Sequence, residues 1–492
     1  MKAVAGKMKP ELAADRADTP AALEGWSPID TVLLIALTAL TAATRFWRLG
    51  YPDSPVFDEG NFVGQAGTYL RGEQYIDPHP PLARELMALG MWAFGPEHSW
   101  AWRLALAAVG TLLVTLTYLL GRRMFASRLA AALAASFILL DGLFLVDSRT
   151  GVLEVVYLTL AALSYLLLFV FLQDFNRGHG RRTLVWLGIT LGLCLGAKLL
   201  LPGVTFLLVL AFLAYGLAVR APRQWRRLVL GAALLVGFTA ALGYVAAFLP
   251  NYLFLHWGGV RALWNYVGDV LWYEGRTFGA FDTRSSPWWS WPLLLHPFIY
   301  WKDTLDSGAL SIIWFGPNPI VWWASLAAMV IYAIRLISRP DMTGAFLVSG
   351  YLAYLLIEIG ITRPMYLYHY MPSQYLAYVA LAAILSECWH GRARRWEQAL
   401  VIAGSLPSVA LAIGGTAGLV AMALLIAASG VMLWRSWNLG QPLCAAVVIG
   451  ALAAFVYFFP IWTGLPISSA GLDARMWLHQ TDAISDWSSF RD

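Results

Sequence analysis

Phe57-Asp58-Glu59-Gly60-Asn61-Phe62 sets two carboxylates side by side, and Asp77-Pro78-His79-Pro80-Pro81-Leu82 follows about twenty residues later. A carboxylate pair in a loop is most often simply solvated. Like charges held this close, however, push their pKa values apart, so that one acid ionises while the other resists. Asp58 or Glu59 is then a candidate to take the proton of a hydroxyl acceptor. Asp77 and His79, two residues apart before Pro-Pro, can point the same way in an extended segment. They could bind a metal, orient Asp58, or only close a hydrogen-bonded turn. Too few ligands are assignable to name a metal, Mg or Mn included.

Further charged residues interrupt apolar sequence, where charge is costly and marks either function or a paired ion. Arg149, in Asp147-Ser148-Arg149, has the planar fork that suits a phosphate, and Glu154 follows it by five residues, a spacing that does not imply a direct pair. Lys198 interrupts Leu193-Cys194-Leu195-Gly196-Ala197-Lys198-Leu199-Leu200-Leu201. It either snorkels to the interface or supplies a counter-charge to a phosphate. Arg363, Tyr366, Tyr368, His369 and Tyr370 cluster before Met371-Pro372. They read as an aromatic belt with a snorkelling Arg, or as ligands for sugar hydroxyls and phosphate. No P-loop, GxGxxG after a strand, HExxH or supported Ser-His-Asp pattern is present, so nothing points to ATP or a nucleotide sugar.

The elements that must carry these groups are membrane helices. The 492 residues are 59% hydrophobic and 13% charged, whereas a soluble surface needs roughly 25% charged residues. Apolar runs long enough to span recur from about residue 29 to residue 460. The expected fold class is an all-α polytopic bundle of about 11–13 transmembrane helices, with amphipathic helices over 61–71 and 81–94 lying along the interface in the first outer loop. Expected spans are 29–49, 101–120, 129–146, 151–172, 183–198, 200–219, 228–249, 317–336, 343–361, 370–388, 398–413, 416–434 and 442–460. Gly414-Gly415 leaves the 398–434 region open between one run and a turn. Residues 1–28 read as a cytoplasmic tail before a retained first span, 29–460 as the membrane domain, with loops 50–100 and 250–316, and 461–492 as an outer tail.

Arginine sets the orientation. Clusters at Arg122, Arg123 and Arg128, at Arg220, Arg223, Arg226 and Arg227, and at Arg392, Arg394 and Arg395 fall in alternate loops, which are therefore expected to be cytoplasmic. The net charge of +5 reflects those loops, not nucleic-acid binding. The Asp58 loop and the 250–316 loop then lie on the opposite, extracytoplasmic face. The latter is rich in Trp, from Trp257 to Trp301, as an interfacial belt or a sugar-stacking surface would be. Cys194, Cys388 and Cys444 lie in or beside apolar runs and are too few for a disulfide framework.

Taken in order, these stretches resemble the protein O-mannosyltransferase family, polytopic enzymes of the GT-C fold. Phe57-Asp58-Glu59 with Asp77-Pro78-His79-Pro80-Pro81-Leu82 is similar to the family's FDE and D-x-HPPL signature, and Arg45 matches an Arg before it. Ser148-Arg149-Thr150-Gly151-Val152-Leu153-Glu154 resembles an S-R-x-x-L-L-D segment, and Gly196-Ala197-Lys198 a Lys-bearing span end. Ser290-Trp291-Pro292-Leu293-Leu294, Gly316-Pro317-Asn318-Pro319 with Trp322-Trp323, and Tyr368-His369-Tyr370-Met371-Pro372 resemble SWPL, G-N-P-x-x-WW and YHYLP. Glu154 stands where the family has Asp, Leu199 where it has Trp, and His296 where many relatives have Arg. The eukaryotic β-trefoil insert is missing, as in a bacterial form.

The resemblance implies an inverting transferase in the bacterial cytoplasmic membrane. It would move mannose from polyprenyl-phosphate mannose to Ser or Thr hydroxyls of secreted proteins on the extracytoplasmic face. Asp58 would be the general base, with Glu59 assisting by position or metal contact. Arg149 and Lys198, with Arg363 and His369, would stabilise the departing phosphate. Arg45, Asp77, His79 and Glu154 would complete the substrate site. Implied partners are the lipid-linked donor, membrane lipid, a secreted acceptor and coupling to the secretion translocon. Two other readings stay open: a GT-C transferase of another polyprenyl-phosphate sugar with a glycan or lipid acceptor, and a lipid-linked-sugar flippase. Charges near one face and no visible repeat weigh against the flippase.

Overall fold

The computed structural model describes residues 25–73, 79–175, 180–274, 284–361, 363–413, 415–434 and 439–477. Asp77 lies outside them. The chain opens with α1 (Pro28–Phe46), then α2 (Glu59–Arg71), α3 (Leu82–Phe94), α4 (Ser99–Phe125), α5 (Arg128–Leu139), α6 (Gly142–Asp147) and α7 (Glu154–Gln173). It continues through α8 (Gly180–Leu195), α9 (Leu200–Arg220), α10 (Trp225–Ala246), α11 (Leu249–Phe254) and α12 (Gly259–Glu274). A hairpin of β1 (Phe298–Thr304) and β2 (Leu310–Phe315) precedes α13 (Pro319–Ser338), α14 (Met342–Leu356), α15 (Met371–Trp389), α16 (Arg395–Ile413), α17 (Gly415–Trp434), α18 (Gly440–Thr463) and α19 (Ser469–Asp473).

Among the described residues, nine helices are long and apolar enough to cross a membrane, against the 11–13 expected from the sequence. The other expected spans are helical too, but shorter or more polar. The apolar run 129–146 is broken because Asp141 caps α6, accepting from the backbone N–H groups of Leu143 and Phe144 at 2.9 and 3.4 Å. The same carboxylate accepts from Asn318 N at 2.8 Å and Tyr378 Oη at 2.6 Å, tying α6 to the start of α13 and to α15. Helix α15 carries Ser373, Gln374 and two tyrosines and is buried along its whole length from Met371 to Ser386. That stretch is packed against protein on all sides, so its composition need not be lipid-like.

Helices α16 and α17 pack on one another. A Cβ added at Gly418 would come within 2.2 Å of the Ala410 carbonyl. The 398–434 region is therefore two helices. Helices α2 and α3 form where the first outer loop was expected to hold helices, each burying one face: Val63, Ala66 and Gly67 on α2, Ala83, Met87 and Met91 on α3.

The hairpin departs from the all-α expectation. Phe298 pairs with Phe315 and Thr304 with Leu310, with a bulge between Ile299 and Trp301. Asp306-Ser307-Gly308 makes the turn, Gly308 taking φ 78°, which needs no Cβ. Leu310 bridges to Ile467 by paired 2.8 Å hydrogen bonds, which fastens the segment after α18 to the hairpin.

Candidate active site

Asp58 is the N-cap residue of α2 and follows Phe57, whose φ of 47° is the left-handed region that a bulky side chain rarely enters. Packing holds it there. The Phe57 ring stacks on Tyr300 of β1 at 4.6 Å and 19°, abuts Phe298 at 5.3 Å, and has the Arg284 guanidinium 5.3 Å from its centroid. Such strain, over-determined by its surroundings, is typical of functional positions.

Glu59, one residue on, is completely buried. Arg103 Nε and Nη2 each donate to it at 2.7 Å, Gly151 N at 2.6 Å, Val56 N at 2.8 Å and Trp102 Nε1 at 3.3 Å. Arg103 also reaches the carbonyls of Leu49, Pro52 and Ser54. Glu59 thus clamps the loop to α4 and to the approach to α7. Both Glu59 oxygens are thus engaged by Arg103, Trp102 and backbone N–H groups.

Lys198, between α8 and α9, is 3% exposed. Its Nζ donates to Glu154 Oε1 at 2.8 Å and lies 5.2 Å from the Tyr368 ring centroid. Burial first, then the nearby Asp58 and Glu154 charges, hold the Tyr368 hydroxyl well above its ordinary pKa. Asp58, Glu154, Lys198 and Tyr368 therefore share one neighbourhood. His369 stacks on Tyr368 at 4.4 Å and parallel to buried Trp291 at 6.2 Å. Its Nδ1 faces the Tyr366 backbone at 3.1 Å from O, and Nε2 is buried with no hydrogen-bond partner among the described residues. Burial, then Lys198 and Arg363, hold the imidazoles of His79 and His369 well below the ordinary histidine value, so both are neutral. The His79 carbonyl accepts from Arg84 and from Tyr266 Oη, which locks the turn before α3 to α12.

Arg149, expected on the phosphate, and Arg45, expected in the substrate site, both donate to backbone carbonyls. Arg149 Nη1 donates to the carbonyls of Thr44, Arg45 and Trp47 at 2.9, 3.0 and 2.6 Å, and Nη2 to that of Arg48 at 3.3 Å. Arg45 donates to the carbonyls of Ile138 and Leu139 at 3.1 and 3.0 Å. Each satisfies the orphan carbonyls at a helix end, Arg149 those of α1 and Arg45 those of α5. The structure thus brings together Asp58, His79, Glu154, Lys198, Arg363 and His369, whereas Glu59 engages Arg103, and Arg45 and Arg149 engage backbone carbonyls.

Arg103, Arg84 and Asp147 were not picked out by sequence reasoning. Asp147 is fully buried, and burial together with Glu154 raises its pKa well above the carboxylate range, favouring its neutral form. A charge within an apolar run was the available signal for Arg103. Among the described residues, no group of three or more His, Cys, Asp or Glu is placed to hold a metal ion.

The profile of dolichyl-phosphate-mannose-protein mannosyltransferases matches residues 35–266, and that of the C-terminal four-helix membrane region of protein O-mannosyltransferases matches residues 263–481. The chain belongs to the protein O-mannosyltransferase family. It is thereby a glycosyltransferase. A polyprenol-phosphate-mannose–protein mannosyltransferase of Mycolicibacterium smegmatis is 24% identical, the match covering 92% of each chain. The one from Mycobacterium tuberculosis is 25% identical over 93% of this chain and 92% of its own. The Saccharomyces cerevisiae Pmt1-Pmt2 complex bound to the sugar donor superposes with a TM-score of 0.75 at 13% identity, covering 94% of both chains. This chain thus shares the fold of that complex, of the GT-C type.

Proposed function

We propose that this O-mannosyltransferase family member moves mannose from a polyprenyl-phosphate donor to a Ser or Thr hydroxyl of a protein acceptor, with inversion, on the extracytoplasmic face. The convergence of Asp58 with Lys198 around Tyr368 carries this reading. The acceptor hydroxyl gives its proton to the Asp58 carboxylate as its oxygen attacks the anomeric carbon. The bond from that carbon to the phosphate oxygen breaks on the opposite side, and its electron pair leaves with the polyprenyl phosphate. That leaving group is a weak base, so it needs charge stabilisation and no general acid.

Lys198 supplies the charge, held in place by Glu154 at 2.8 Å. Arg363 adds a second cation. His369 adds a neutral imidazole whose Nε2 is open, while its Nδ1 lies 3.1 Å from Tyr366 O and 3.4 Å from Tyr366 N. Arg149, engaged with four carbonyls, contributes by fixing the end of α1 and not by touching phosphate.

The test uses purified protein in detergent, radiolabelled polyprenyl-phosphate mannose and a Ser/Thr/Pro-rich peptide, beside Asp58→Asn. The expected result is label in the peptide, reduced about 10²–10⁴-fold in the variant with an unchanged melting midpoint. Near-normal turnover by Asp58→Asn would overturn the base assignment. Label that enters lipid or glycan in place of peptide would overturn the acceptor.

A further inference from the structure

On the face opposite Asp58, where the arginine clusters lie, two cavities of about 720 and 740 Å³ adjoin. Both sizes fall within the range of ligand sites. They share Phe125, Ser127 and Arg392 in their walls. The first carries the charged side chains and is bounded by the ends of α13, α15 and α16. The second is apolar along α1 and α5, with Leu33, Leu129 and Ala132 and the exposed Trp389 in its wall.

The acids of the charged lobe are all committed. Glu387 and Glu397 both grip Arg335, at 2.6–3.2 Å and 2.8 Å, and Asp341 caps α14 through Gly344 N at 2.8 Å. Arg339, Arg392 and Arg394 are exposed, and no hydrogen bond or ion pair of their side chains occurs among the described residues. Four arginines against three carboxylates leave this lobe a net charge of +1, with those three guanidiniums at its rim, and an apolar trough runs from it along two helices into the membrane span.

We propose that this bipartite groove holds an anionic phospholipid of the leaflet on that face. The phosphate lies at Arg392, where the lobes meet, with Arg339 and Arg394 around the headgroup, and an acyl chain lies along Leu33, Leu129 and Ala132. A basic pocket between membrane helices at the headgroup level favours such a lipid, and Arg matches phosphate by its planar fork. A zwitterionic lipid carries its own cation and gains less from a rim of net positive charge.

The experiment is native mass spectrometry of the full chain released from detergent, with phosphatidylglycerol, phosphatidylcholine or inorganic phosphate added separately. Wild type is compared with R339Q/R392Q/R394Q and with R392Q alone, the latter in case the triple variant does not fold. The expected result is one retained phosphatidylglycerol per chain and little phosphatidylcholine. The variants should bind phosphatidylglycerol about tenfold more weakly or worse, and their basal transfer in neutral detergent should equal wild type. Equal retention of both lipids, or phosphatidylglycerol retained undiminished by the variants, would overturn the proposal. Inorganic phosphate competing at the same site with comparable strength would overturn the lipid as its occupant.

Discussion

Neighbouring carboxylates here have opposite environments. Asp58 sits at the head of α2 beside Tyr368 and Lys198, whereas Glu59 is sealed against Arg103. Removing one partner of a buried ion pair leaves the other charge unpaired in low dielectric, at a cost of about 3–5 kcal/mol. Glu59→Ala should therefore lower the melting midpoint and the yield of folded protein, measured by thermal unfolding in detergent, while Asp58→Asn should not. A Glu59→Ala protein as stable as wild type but inactive would return Glu59 to the chemistry. The neutral imidazoles give a pH signature. The unfolded chain protonates His79 and His369 near the ordinary value of about 6.5, and the folded chain does not. The unfolded state thus binds more protons below that pH, so this stability is complete above it and is lost on acidification. Between about pH 7 and about pH 5 the midpoint should fall less steeply in His369→Gln than in wild type. Parallel slopes would show that His369 protonates freely in the folded protein.

The helices that hold Lys198 in place meet through glycine. Gly188, Gly192 and Gly196 recur every fourth residue along α8 and just beyond it, on the side facing α10. A Cβ at Gly192 would come within 2.0 Å of the Ala240 carbonyl, and one at Gly243 within 2.3 Å of that of Ile189. In a membrane, where apolar side chains gain little by meeting one another, this backbone-to-backbone approach is a main source of helix association. Gly192→Leu should cost about 1–3 kcal/mol, read as a lower melting midpoint. Gly231→Ala on α10, where a Cβ meets nothing within 4 Å, should leave the midpoint unchanged or slightly raised. Equal effects would refute the close α8–α10 packing. The fourfold spacing of glycines was legible in the sequence, as was the Asp306-Ser307-Gly308 turn of the hairpin. Both were masked by the dominance of long apolar runs, whose periodicity says helix but not which face is tight.

Across the whole molecule, the Asp58–Lys198 cluster and the arginine-rimmed groove lie at opposite ends of the bundle. Positive charge is retained on the cytoplasmic side, which sets the expected orientation. Cys194, Cys388 and Cys444 are all buried, so an added surface thiol can be read against little background. In spheroplasts, a membrane-impermeant thiol reagent should label Ser307→Cys at the exposed hairpin turn and not Ser338→Cys at the end of α13. The reverse pattern would invert the topology and move the proposed acceptor to the other compartment.

Composition and apolar run length by themselves determined that this chain is a helical membrane protein. The order of its charged motifs, from Phe57-Asp58-Glu59 to Tyr368-His369-Tyr370, pointed to its family, since each such charge must have a partner or a purpose at membrane depth. What the tertiary structure alone decided is which charge has which. Arg149 and Lys198 look alike in sequence, each a lone cation in an apolar setting. Arg149 binds carbonyls about a hundred residues away at the end of α1, and Lys198 meets Glu154 and the face of Tyr368. Glu59 and Asp58, adjacent in the chain, separate for the same reason. A helix turns successive side chains by about 100°, so at the first turn of α2 one carboxylate points into Arg103 and the other is left beside Tyr368.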